Sequence, residues 1–443
     1  MSRYGLAINE WQALDAGHQR ALLRRPAAGD ERLQAIVADI IRQVREGGDA
    51  ALAQLTQQFD GVNPQSFEIS AQDLRLARDS IDTRLAGAIH DASSRIRAFH
   101  AADIPLERTV ETAPGLNCTV TYRALTTVGI YVPGGTAPLV STVLMLAIPA
   151  RLAGCRQIVM CSPPGSDGRI SAQVLAAASL CGVDRVFCVG GAQAVAAMAY
   201  GTSSVPRCSK IFGPGNAWVT AAKQQVSMDP DGAAIDMPAG PSEVMVIADA
   251  SAGTGDGVDF ISWDLLSQAE HGPDSQVLLA TDSQELAAAV IARLDELGPA
   301  SPRSVILEQS LRAARIIQVA DLEQAMAIAN DYAPEHLILN TVNARQLATR
   351  VEHAGSVFIG RWTPESLGDY CSGTNHVLPT CGFARAHGAL GVADFMRRMT
   401  LQEASAAALM QVGPCAEILA EVEGLDAHRM AVRSRLTSLE TSS

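Results

Sequence analysis

Short runs of β-branched residues alternate with Ala-rich runs from residue 127 onward, and this alternation most restricts the fold of the chain. Four runs, "TVGIYVP", "QIVMCSPP", "RVFCVGG" and "SKIFGPG", have the composition of buried strands. Each is followed by a run with helical spacing, such as "STVLMLAIPARLAG" or "NAWVTAAKQQV". Four strand–helix units within about a hundred residues are typical of a parallel sheet with helical crossovers. The sequence therefore predicts a doubly wound α/β fold.

The same alternation resumes after "GPSEVMVIAD" and indicates a second α/β body. We expect strands at "SQVLLATD", "SVILEQS", "HLILNT" and "SVFIGR", with helical runs such as "QELAAAVIARLDELG" and "NARQLATRVEHAG" between them. Before residue 127, "ERLQAIVADIIRQVREGG" and "DAALAQLTQQFDG" have helical spacing and end on Gly. We predict two Rossmann-like α/β bodies with helical ends, the last beginning near residue 390.

The composition excludes several classes of partner. The formal net charge is −13 and only 4% of the residues are aromatic, so we expect no nucleic-acid partner. The longest apolar run, "VLMLAIPARLAG", is interrupted by Pro149 and Arg151, which argues against a membrane-spanning helix. The start "MSRYGLAINEW" lacks a hydrophobic signal core, and the nine cysteines form no C-x-x-C pair. We therefore expect a cytoplasmic protein with reduced thiols.

Three Gly-rich turns follow predicted strands of the first α/β body: "VPGGTAP" (132–138), "VGGAQA" (189–194) and "FGPGNAW" (212–218). Each leads into a helical run, whose first backbone N–H groups and dipole favour an anion. None matches G-x-G-x-x-G, and no G-x-x-x-x-G-K-[ST] phosphate loop occurs. One such turn is better explained as tight chain reversal, but three in one body favour a dinucleotide or phosphate ligand.

Candidate metal ligands lie in three separate segments. Gln268 and His271, in "DLLSQAEHGPDSQ", are three residues apart and would share one face of a helix. Asp369 and His376 lie in "PESLGDYCSGTNHVLPT", and His428 lies in "GLDAHRMAV". Zinc accepts imidazole nitrogen and carboxylate oxygen, so these groups are suitable ligands. For the Gln–His pair alone, a buried hydrogen-bonded couple explains the spacing better, and spacing does not decide between the two hypotheses.

An adjacent Glu–His pair, Glu335 and His336, occurs in "YAPEHLIL" at the predicted start of a strand. Histidine is the natural base at neutral pH, and a buried glutamate can be tuned to activate water. Neighbouring residues on a regular strand point to opposite faces, so both serve one site only at an irregular strand start. Solvent-exposed capping of the sheet edge explains the pair equally well.

Six longer segments, in order along the chain, resemble signatures of the histidinol dehydrogenase family. They are "VGIYVPGGTAPLVSTVLMLAIPA", "KIFGPGNAWVTAAKQQV", "IDMPAGPSEVMVIAD", "DLLSQAEHGPDSQ", "YAPEHLI" and "AGSVFIGRWTPESLGDYCSGTNHVLPT". The likeness extends from the N-terminal arm to the last helical region, and motifs of this length are specific to the family. In "ARAHGALGV" (384–392) many relatives carry serines, and we expect His387 to be a solvated neighbour and not a ligand.

The resemblance implies a complete reaction. Such enzymes oxidise L-histidinol to L-histidine by way of bound L-histidinaldehyde, a four-electron oxidation that reduces two NAD and ends histidine biosynthesis. One zinc ion per subunit would be held by Gln268, His271, Asp369 and His428. The enzymes are intertwined homodimers whose C-terminal domain completes the partner's site.

Roles for further residues follow from the same resemblance. His336 is implied to be the general base that takes the hydroxyl proton, and Glu335 to activate the water that hydrates the aldehyde. Contacts to the substrate are implied for Ser242, Gln268, His271, His336, Asp369, His376, Glu423 and His428. The NAD site is implied to be lined by Tyr131, Gln193 and Asn216, which lie in or beside the three glycine turns.

The same resemblance suggests four regions of the chain. We expect an N-terminal helical arm, a discontinuous α/β domain carrying most of the zinc and substrate site, an α/β NAD-binding domain and a C-terminal helical domain that completes the partner's site. Their predicted bounds are, in that order, 1–24; 25–130 with 244–390; 131–243; and 391–443.

Three other functions fit the sequence less well. A paralogous zinc–NAD dehydrogenase acting on another polyol or a sulfonated diol would differ around the residues that grip the amino group and imidazole, yet Ser242, His376 and Glu423 are present. A zinc hydrolase with Glu335 as base would leave the three glycine turns unexplained. An inactive binding or scaffold protein would not require the full set of candidate catalytic and metal-binding residues.

Overall fold

Two parallel sheets dominate the computed structural model, which describes residues 2–25, 31–62, 66–134, 138–238 and 240–441. The strands, in chain order, are β1 (Ile8–Glu10), β2 (Arg108–Ala113), β3 (Leu116–Ala124), β4 (Thr127–Tyr131), β5 (Gln157–Ser162), β6 (Arg185–Cys188), β7 (Lys210–Phe212), β8 (Ala234–Ile235), β9 (Glu243–Ala248), β10 (Gln276–Thr281), β11 (Arg315–Gln318), β12 (His336–Asn340), β13 (Ser356–Ile359) and β14 (Met396–Ala404).

The α-helices lie between these strands and at the C-terminal end. They are α1 (Ala16–Leu22), α2 (Glu31–Asp60), α3 (Ala71–Ser80), α4 (Thr83–Ala102), α5 (Val140–Ala153), α6 (Ala172–Leu180), α7 (Gly191–Tyr200), α8 (Ala217–Met228), α9 (Gly257–Ala269), α10 (Gln284–Ala300), α11 (Ser304–Ser310), α12 (Leu322–Tyr332), α13 (Ala344–Ala348), α14 (Glu365–Tyr370), α15 (Ala406–Val422) and α16 (Asp426–Thr441). Helix α2 contains both helical runs predicted before residue 127, joined at a kink where Gly48 has φ 54°.

The five-stranded sheet has the order β6-β5-β4-β7-β8, with every pair parallel. Chain order runs one way from β4 through β5 to β6 and the other way from β4 to β7 and β8, so it reverses between β4 and β7. Buried Val159, Cys161 and Phe187 of this sheet belong to one core with apolar residues of α2, α7 and α8. In sheets of this kind a crevice opens at the carboxyl ends of the strands where the order reverses.

The six-stranded sheet repeats this topology, with the order β1-β11-β10-β9-β12-β13 and parallel pairing throughout. Its chain order reverses between β9 and β12. Alternate residues of β9 enter two cores, Val244 and Val246 on the face of α9 and α10, and Met245 and Ile247 on the face of α12. The prediction of two doubly wound parallel sheets is confirmed.

One predicted strand is wrong. The segment "SVILEQS" is helix α11, and the strand at this edge is instead "RIIQ", which is β11. Leu307 and Leu311, four residues apart, are both buried, whereas the β-branched Val305 is 75% exposed. This burial has helical spacing, because a central strand of a parallel sheet would bury Val305 as well.

A second unit, formed by Ile104–Leu125 and Met396–Ser443, contains an antiparallel sheet that the sequence did not reveal. Its order is β14-β3-β2, and Met396 of β14 pairs with Ala124 of β3. The expected helical C-terminal region therefore begins with a strand, followed by α15 and α16. The first unit comprises Met1–Asp103 and Thr126–Phe395 and contains both parallel sheets. The predicted domain boundaries themselves stay a prediction.

The N-terminal arm carries a strand as well as a helix, since β1 pairs in parallel with β11 at the edge of the six-stranded sheet. None of the helices in the described ranges has the length and apolar character that crossing a lipid bilayer needs.

Candidate active site

Glu335 and His336 lie at the amino end of β12, directly after a tight turn. Helix α12 ends at Tyr332, and Ala333 follows with φ 52°, a left-handed conformation that costs a residue with a Cβ about 1–2 kcal/mol. The two residues are 6% and 3% exposed, and Glu335 Oε2 lies 3.7 Å from His336 Nδ1. The irregular strand start brings both side chains into one site, and the alternative of solvent-exposed capping is wrong.

The backbone of Glu243, at the start of the neighbouring strand β9, holds both members of the pair. Its N–H donates to Glu335 Oε2 at 2.8 Å, and its carbonyl oxygen lies 3.0 Å from His336 Nδ1. A carbonyl oxygen only accepts, so Nδ1 carries the proton and donates it to this oxygen. In the neutral imidazole Nε2 is then the basic nitrogen, and it lies 3.4 Å from Asp369 Oδ1.

The electrostatics of the pair are set by burial and by nearby carboxylates. Burial raises the pKa of Glu335 to about 8. Burial opposes the charged form of His336, but the carboxylates of Glu365, Glu335 and Asp369 outweigh it and raise the pKa of His336 well above its usual value. The site is therefore an acidic cavity that favours a bound cation or proton.

Asp369, on the short helix α14, is the centre of this cluster. Burial opposes its ionisation, yet the hydrogen bond with His336 and the charges of His336, His376 and His271 lower its pKa. The backbone oxygen of Asp369 accepts from His376 Nδ1 at 3.0 Å, and His376 Nε2 lies 3.3 Å from the hydroxyl of Thr142. Three imidazoles thus surround one carboxylate.

Gln268 and His271 meet at the end of helix α9. Hydrogen-bond complementarity orients the Gln268 amide with its oxygen 3.0 Å from His271 Nδ1 and its nitrogen donating to the carboxylate of Glu365. Burial lowers the pKa of His271 and so favours the neutral imidazole that binds metals. The 3.0 Å separation is that of a hydrogen bond donated by His271 Nδ1, as in the buried hydrogen-bonded couple, and it is also close to the spacing of two ligands about 2.1 Å from one ion.

Glu365 is a site residue that the sequence analysis missed. It is 1% exposed, and ligand atoms of His336, Glu365 and Asp369 all lie within 4.8 Å of one another. Burial is the main cause that raises the pKa of Glu365 well above its usual value. The available signal was spacing, because Glu365 precedes Asp369 by four residues and lies on the same face of α14.

Ser242 and the predicted NAD residues line two cavities. Ser242, Asn216 and His271 line a cavity of about 650 Å³. Tyr131, Gln193 and Asn216 line another of about 530 Å³. Asn216 therefore borders both cavities, and its side-chain oxygen also caps α8 by accepting from the N–H groups of Trp218 and Val219 at 3.1 Å.

The glycine turns at the carboxyl ends of β4, β6 and β7 adjoin this second cavity. The hydroxyl of Tyr131, the last residue of β4, accepts from the N–H of Gly191 at 3.1 Å. Gly213 has φ 114°, and a Cβ there would lie 2.2 Å from the carbonyl oxygen of Tyr131, so only glycine allows this approach. Residues 135–137 of the first glycine turn lie outside the described residues.

Glu423 and His428 belong to the second unit. Glu423 directly follows helix α15 and His428 lies in the first turn of α16, and both are exposed. Their predicted roles as a substrate contact and a metal ligand stay predictions. His387, in the loop where many relatives carry serines, is exposed.

Comparisons with known proteins show the family of the chain. The family described as histidinol dehydrogenase matches residues 23–436. Histidinol dehydrogenase of Vibrio parahaemolyticus is 51% identical over 430 residues, which are 97% of this chain and 98% of that protein. That of Xylella fastidiosa is 52% identical over 435 residues, 98% of this chain and 100% of that protein. A crystal structure of histidinol dehydrogenase from Elizabethkingia anophelis superposes with a TM-score of 0.93 at 40% identity, covering 99% of each chain. The chain belongs to the histidinol dehydrogenase family.

Proposed function

We propose that the chain catalyses the zinc-dependent oxidation of L-histidinol to L-histidine through bound L-histidinaldehyde, with reduction of two NAD. The observation that carries this proposal is one buried cluster in a chain of this family, in which His336 lies 3.4 Å from Asp369 and 3.7 Å from Glu335. A carboxylate and an imidazole held by one backbone residue supply the two proton acceptors that the two oxidation steps need.

The donor set fits a zinc ion. We propose that Gln268, His271 and Asp369 hold it together with His428 of the partner subunit. Amide oxygen, neutral imidazole and ionised carboxylate are groups that zinc accepts, and the low pKa of Asp369 and of His271 favours the ligating form of each. When bound, zinc would grip the imidazole and amino nitrogens of the substrate and hold its alcohol carbon in position.

His336 is proposed as the base of the alcohol oxidation. In the neutral imidazole, the hydrogen bond from Nδ1–H to the Glu243 carbonyl leaves the lone pair of Nε2 directed at the cluster. From there Nε2 takes the hydroxyl proton as hydride leaves the adjacent carbon. The hydrogen bond to backbone also prevents rotation of the ring, so the basic nitrogen stays in place.

Glu335 is proposed to activate the water that hydrates the aldehyde. One carboxylate oxygen is occupied by the Glu243 N–H at 2.8 Å, which orients the group. Its pKa of about 8 makes the carboxylate a stronger base than an exposed glutamate. The hydrated aldehyde then loses the second hydride, with His336 again accepting a proton.

The experiment that tests this function is an assay with L-histidinol and NAD. We expect two NADH per L-histidine formed, and loss of turnover after exhaustive chelation with recovery on adding zinc. Turnover of a dihydroxy sulfonate in place of L-histidinol would identify a paralogous dehydrogenase. Absence of NADH with hydrolytic product formation would contradict oxidation, and activity that survives chelation would contradict the metal site.

Glu365 is expected to set the zinc affinity by orienting Gln268. Because its carboxyl group accepts from the Gln268 amide nitrogen, the amide oxygen faces His271. Glu365→Leu removes this acceptor and should weaken zinc binding about 10- to 100-fold, as loss of an outer-shell partner does. Chelator competition measures the affinity without reference to activity.

Glu365→Gln is the matched control, because its side-chain oxygen still accepts from Gln268. We expect it to bind zinc nearly as tightly as the unmodified protein. If Glu365→Leu also keeps that affinity, Glu365 does not position the ligand.

We also propose a homodimer in which Glu423 and His428 of each chain complete the partner's site. The second unit exposes an apolar surface on α15, where Ile418, Leu419 and Val422 are 61%, 58% and 81% exposed. Apolar side chains clustered in this way are typical of a surface that another subunit covers. None of the nine cysteines is in a disulfide bond, which supports the proposal that the enzyme works in the cytoplasm.

Mixed dimers test the shared site. His271→Asn and His428→Asn homodimers should each be nearly inactive, and a heterodimer of the two should regain about one working site of two, because one site then has both histidines. Exchange of differently tagged subunits followed by activity measurement gives the result. No regain in purified heterodimers would mean that each site lies within one chain.

A further inference from the structure

Helix α5 contains a proline, Pro149, in its interior. In an α-helix each backbone N–H donates to the carbonyl four residues earlier, so Pro149 leaves the carbonyl of Met145 without its usual helical donor. The side-chain amide of Asn375 supplies a donor to this carbonyl at 2.7 Å. Asn375 is 3% exposed, and its amide oxygen accepts from the N–H of Val377 at 3.0 Å. The gap in the helical hydrogen bonds therefore holds the chain segment that carries His376.

The same helix also contacts His376 directly. Thr142 lies three residues before Met145, so the two residues share one face of α5. The hydroxyl of Thr142 lies 3.3 Å from His376 Nε2, and the N–H of His376 donates to the Met145 sulfur at 3.1 Å. Thr142 is 1% exposed and lies in the first turn of α5, where no helical carbonyl precedes it by four residues. Because a threonine hydroxyl further along a helix often donates to such a carbonyl, this position leaves the hydroxyl available to the imidazole.

Hydrogen bonds at both ring nitrogens fix the His376 imidazole. Nδ1 lies 3.0 Å from the backbone oxygen of Asp369, which can only accept, so Nδ1 carries a proton. Burial lowers the pKa of His376 and favours the neutral ring, in which Nε2 accepts from the Thr142 hydroxyl. At 3.3 Å this bond is long for one donated by a hydroxyl, so a substrate donor can share the same lone pair.

We propose that Thr142 and Asn375 are positioning residues that hold His376 in the orientation in which it contacts the substrate. This inference rests on the proposed function. Both residues act through His376, since Thr142 orients the ring at Nε2 and Asn375 fixes the adjacent backbone. A ring that is already held loses little freedom when L-histidinol binds, whereas a free ring must first be ordered.

Thr142→Val removes the hydroxyl at nearly constant size and tests the first contact. It should raise the dissociation constant and the KM of L-histidinol about 3- to 10-fold, the cost of ordering one freed side chain. The kcat, the KM of NAD and the zinc affinity should not change, because the proposed base and zinc ligands keep their own contacts. Calorimetry on the zinc-loaded protein without NAD, steady-state kinetics and chelator competition measure these quantities.

Two further variants separate the hydroxyl from the rest of the side chain. Thr142→Ser keeps a hydroxyl and should bind L-histidinol nearly as tightly as the unmodified protein. Thr56→Val is the matched control, because Thr56 is a helical threonine with 0% exposure whose hydroxyl makes no hydrogen bond to any described residue. It should change neither the KM of L-histidinol nor kcat.

A double-variant comparison tests whether Thr142 acts through His376. His376→Ala should itself raise the KM of L-histidinol, and adding Thr142→Val to it should cause no further loss of binding. Losses that add in full would overturn the proposal, because Thr142 would then act elsewhere. Asn375→Ala should raise the KM of L-histidinol in the same direction as Thr142→Val, and an unchanged KM would overturn the role of Asn375.

The outcomes also separate this inference from the proposed function. If the unmodified protein oxidises L-histidinol but Thr142→Val binds it as tightly as before, only the role of Thr142 is overturned. Weaker zinc binding in Thr142→Val, or an equal loss in Thr56→Val, would overturn that role as well, because the effect would be a general one on the fold. If the unmodified protein neither binds nor oxidises L-histidinol, the proposed function itself fails.

Discussion

His336→Asn is expected to slow both oxidation steps by about 10²- to 10⁴-fold, the usual contribution of a positioned general base. Both steps need an acceptor for a hydroxyl proton, and His336 Nε2 is the basic nitrogen that the cluster presents. Asn still donates to the Glu243 carbonyl, so the local fold should persist. Single-turnover rates with L-histidinol and with L-histidinaldehyde measure the two steps separately.

Glu335→Gln is the companion variant and should damage mainly the aldehyde step. Gln keeps the acceptor for the Glu243 N–H, at 2.8 Å in the native protein, but it has lost the base that activates water. Equal losses on both steps would contradict the division of labour between Glu335 and His336. An unchanged alcohol step in His336→Asn would show that another group is the base.

Lys223→Met is expected to destabilise the protein by about 3–5 kcal/mol, since it breaks a buried ion pair by removing one partner. The Lys223 and Asp236 side chains are 5% and 1% exposed, and Lys223 donates both to Asp236 and to the carbonyl of Gly213, the latter at 2.7 Å. The N–H of Gly213 donates to Asp236 at 2.7 Å. The pair thus fixes both backbone groups of the glycine turn that leads to Asn216.

Denaturant unfolding of the single variants and the double variant gives the measurement. Replacing both charges leaves no uncompensated ion, so Lys223→Met with Asp236→Asn should be more stable than Lys223→Met alone. If the single and double variants are equally stable, the penalty does not arise from the orphaned Asp236. Val226 is buried one turn further along α8. The variant Val226→Ala removes only apolar contacts, so its loss of stability can be compared with that of Lys223→Met.

Periodicity predicted the two parallel sheets because their strands are buried on both faces. Val244 to Ala248 and Val277 to Ala280 are nearly inaccessible to solvent, so their composition alone identifies them. The antiparallel sheet of the second unit has the opposite character. Most residues of β2 and β14 are exposed, and Arg397 pairs with Arg123 across more than half the chain. Neither local composition nor spacing reports a pairing between such distant segments.

Site residues could be predicted where they are spaced along one helix. Those that are brought together by the topology of the sheet could not. Gln268 and His271 are three residues apart, and their convergence follows from helix geometry. The rule that ligands lie beyond the carboxyl ends of strands fits Tyr131, at the end of β4, but not His336, which begins β12. Only the turn at Ala333 and the backbone of Glu243 explain why an amino end of the sheet holds the proposed base.

Glu243, whose backbone holds the proposed base His336, is itself held by Arg25 from near the N-terminus. Arg25 Nη2 donates to the Glu243 carboxylate at 2.8 Å and to the carbonyl oxygen of Tyr332 at 2.8 Å, while its guanidinium lies 3.8 Å from the centre of the Tyr332 ring. A protein shortened to begin at residue 31 would lack Arg25. The buried Glu243 carboxylate would then lose this cation, and the turn after Tyr332 that orients the imidazole of His336 would be less firmly held. The N-terminal residues therefore help to hold the proposed base in position for proton transfer.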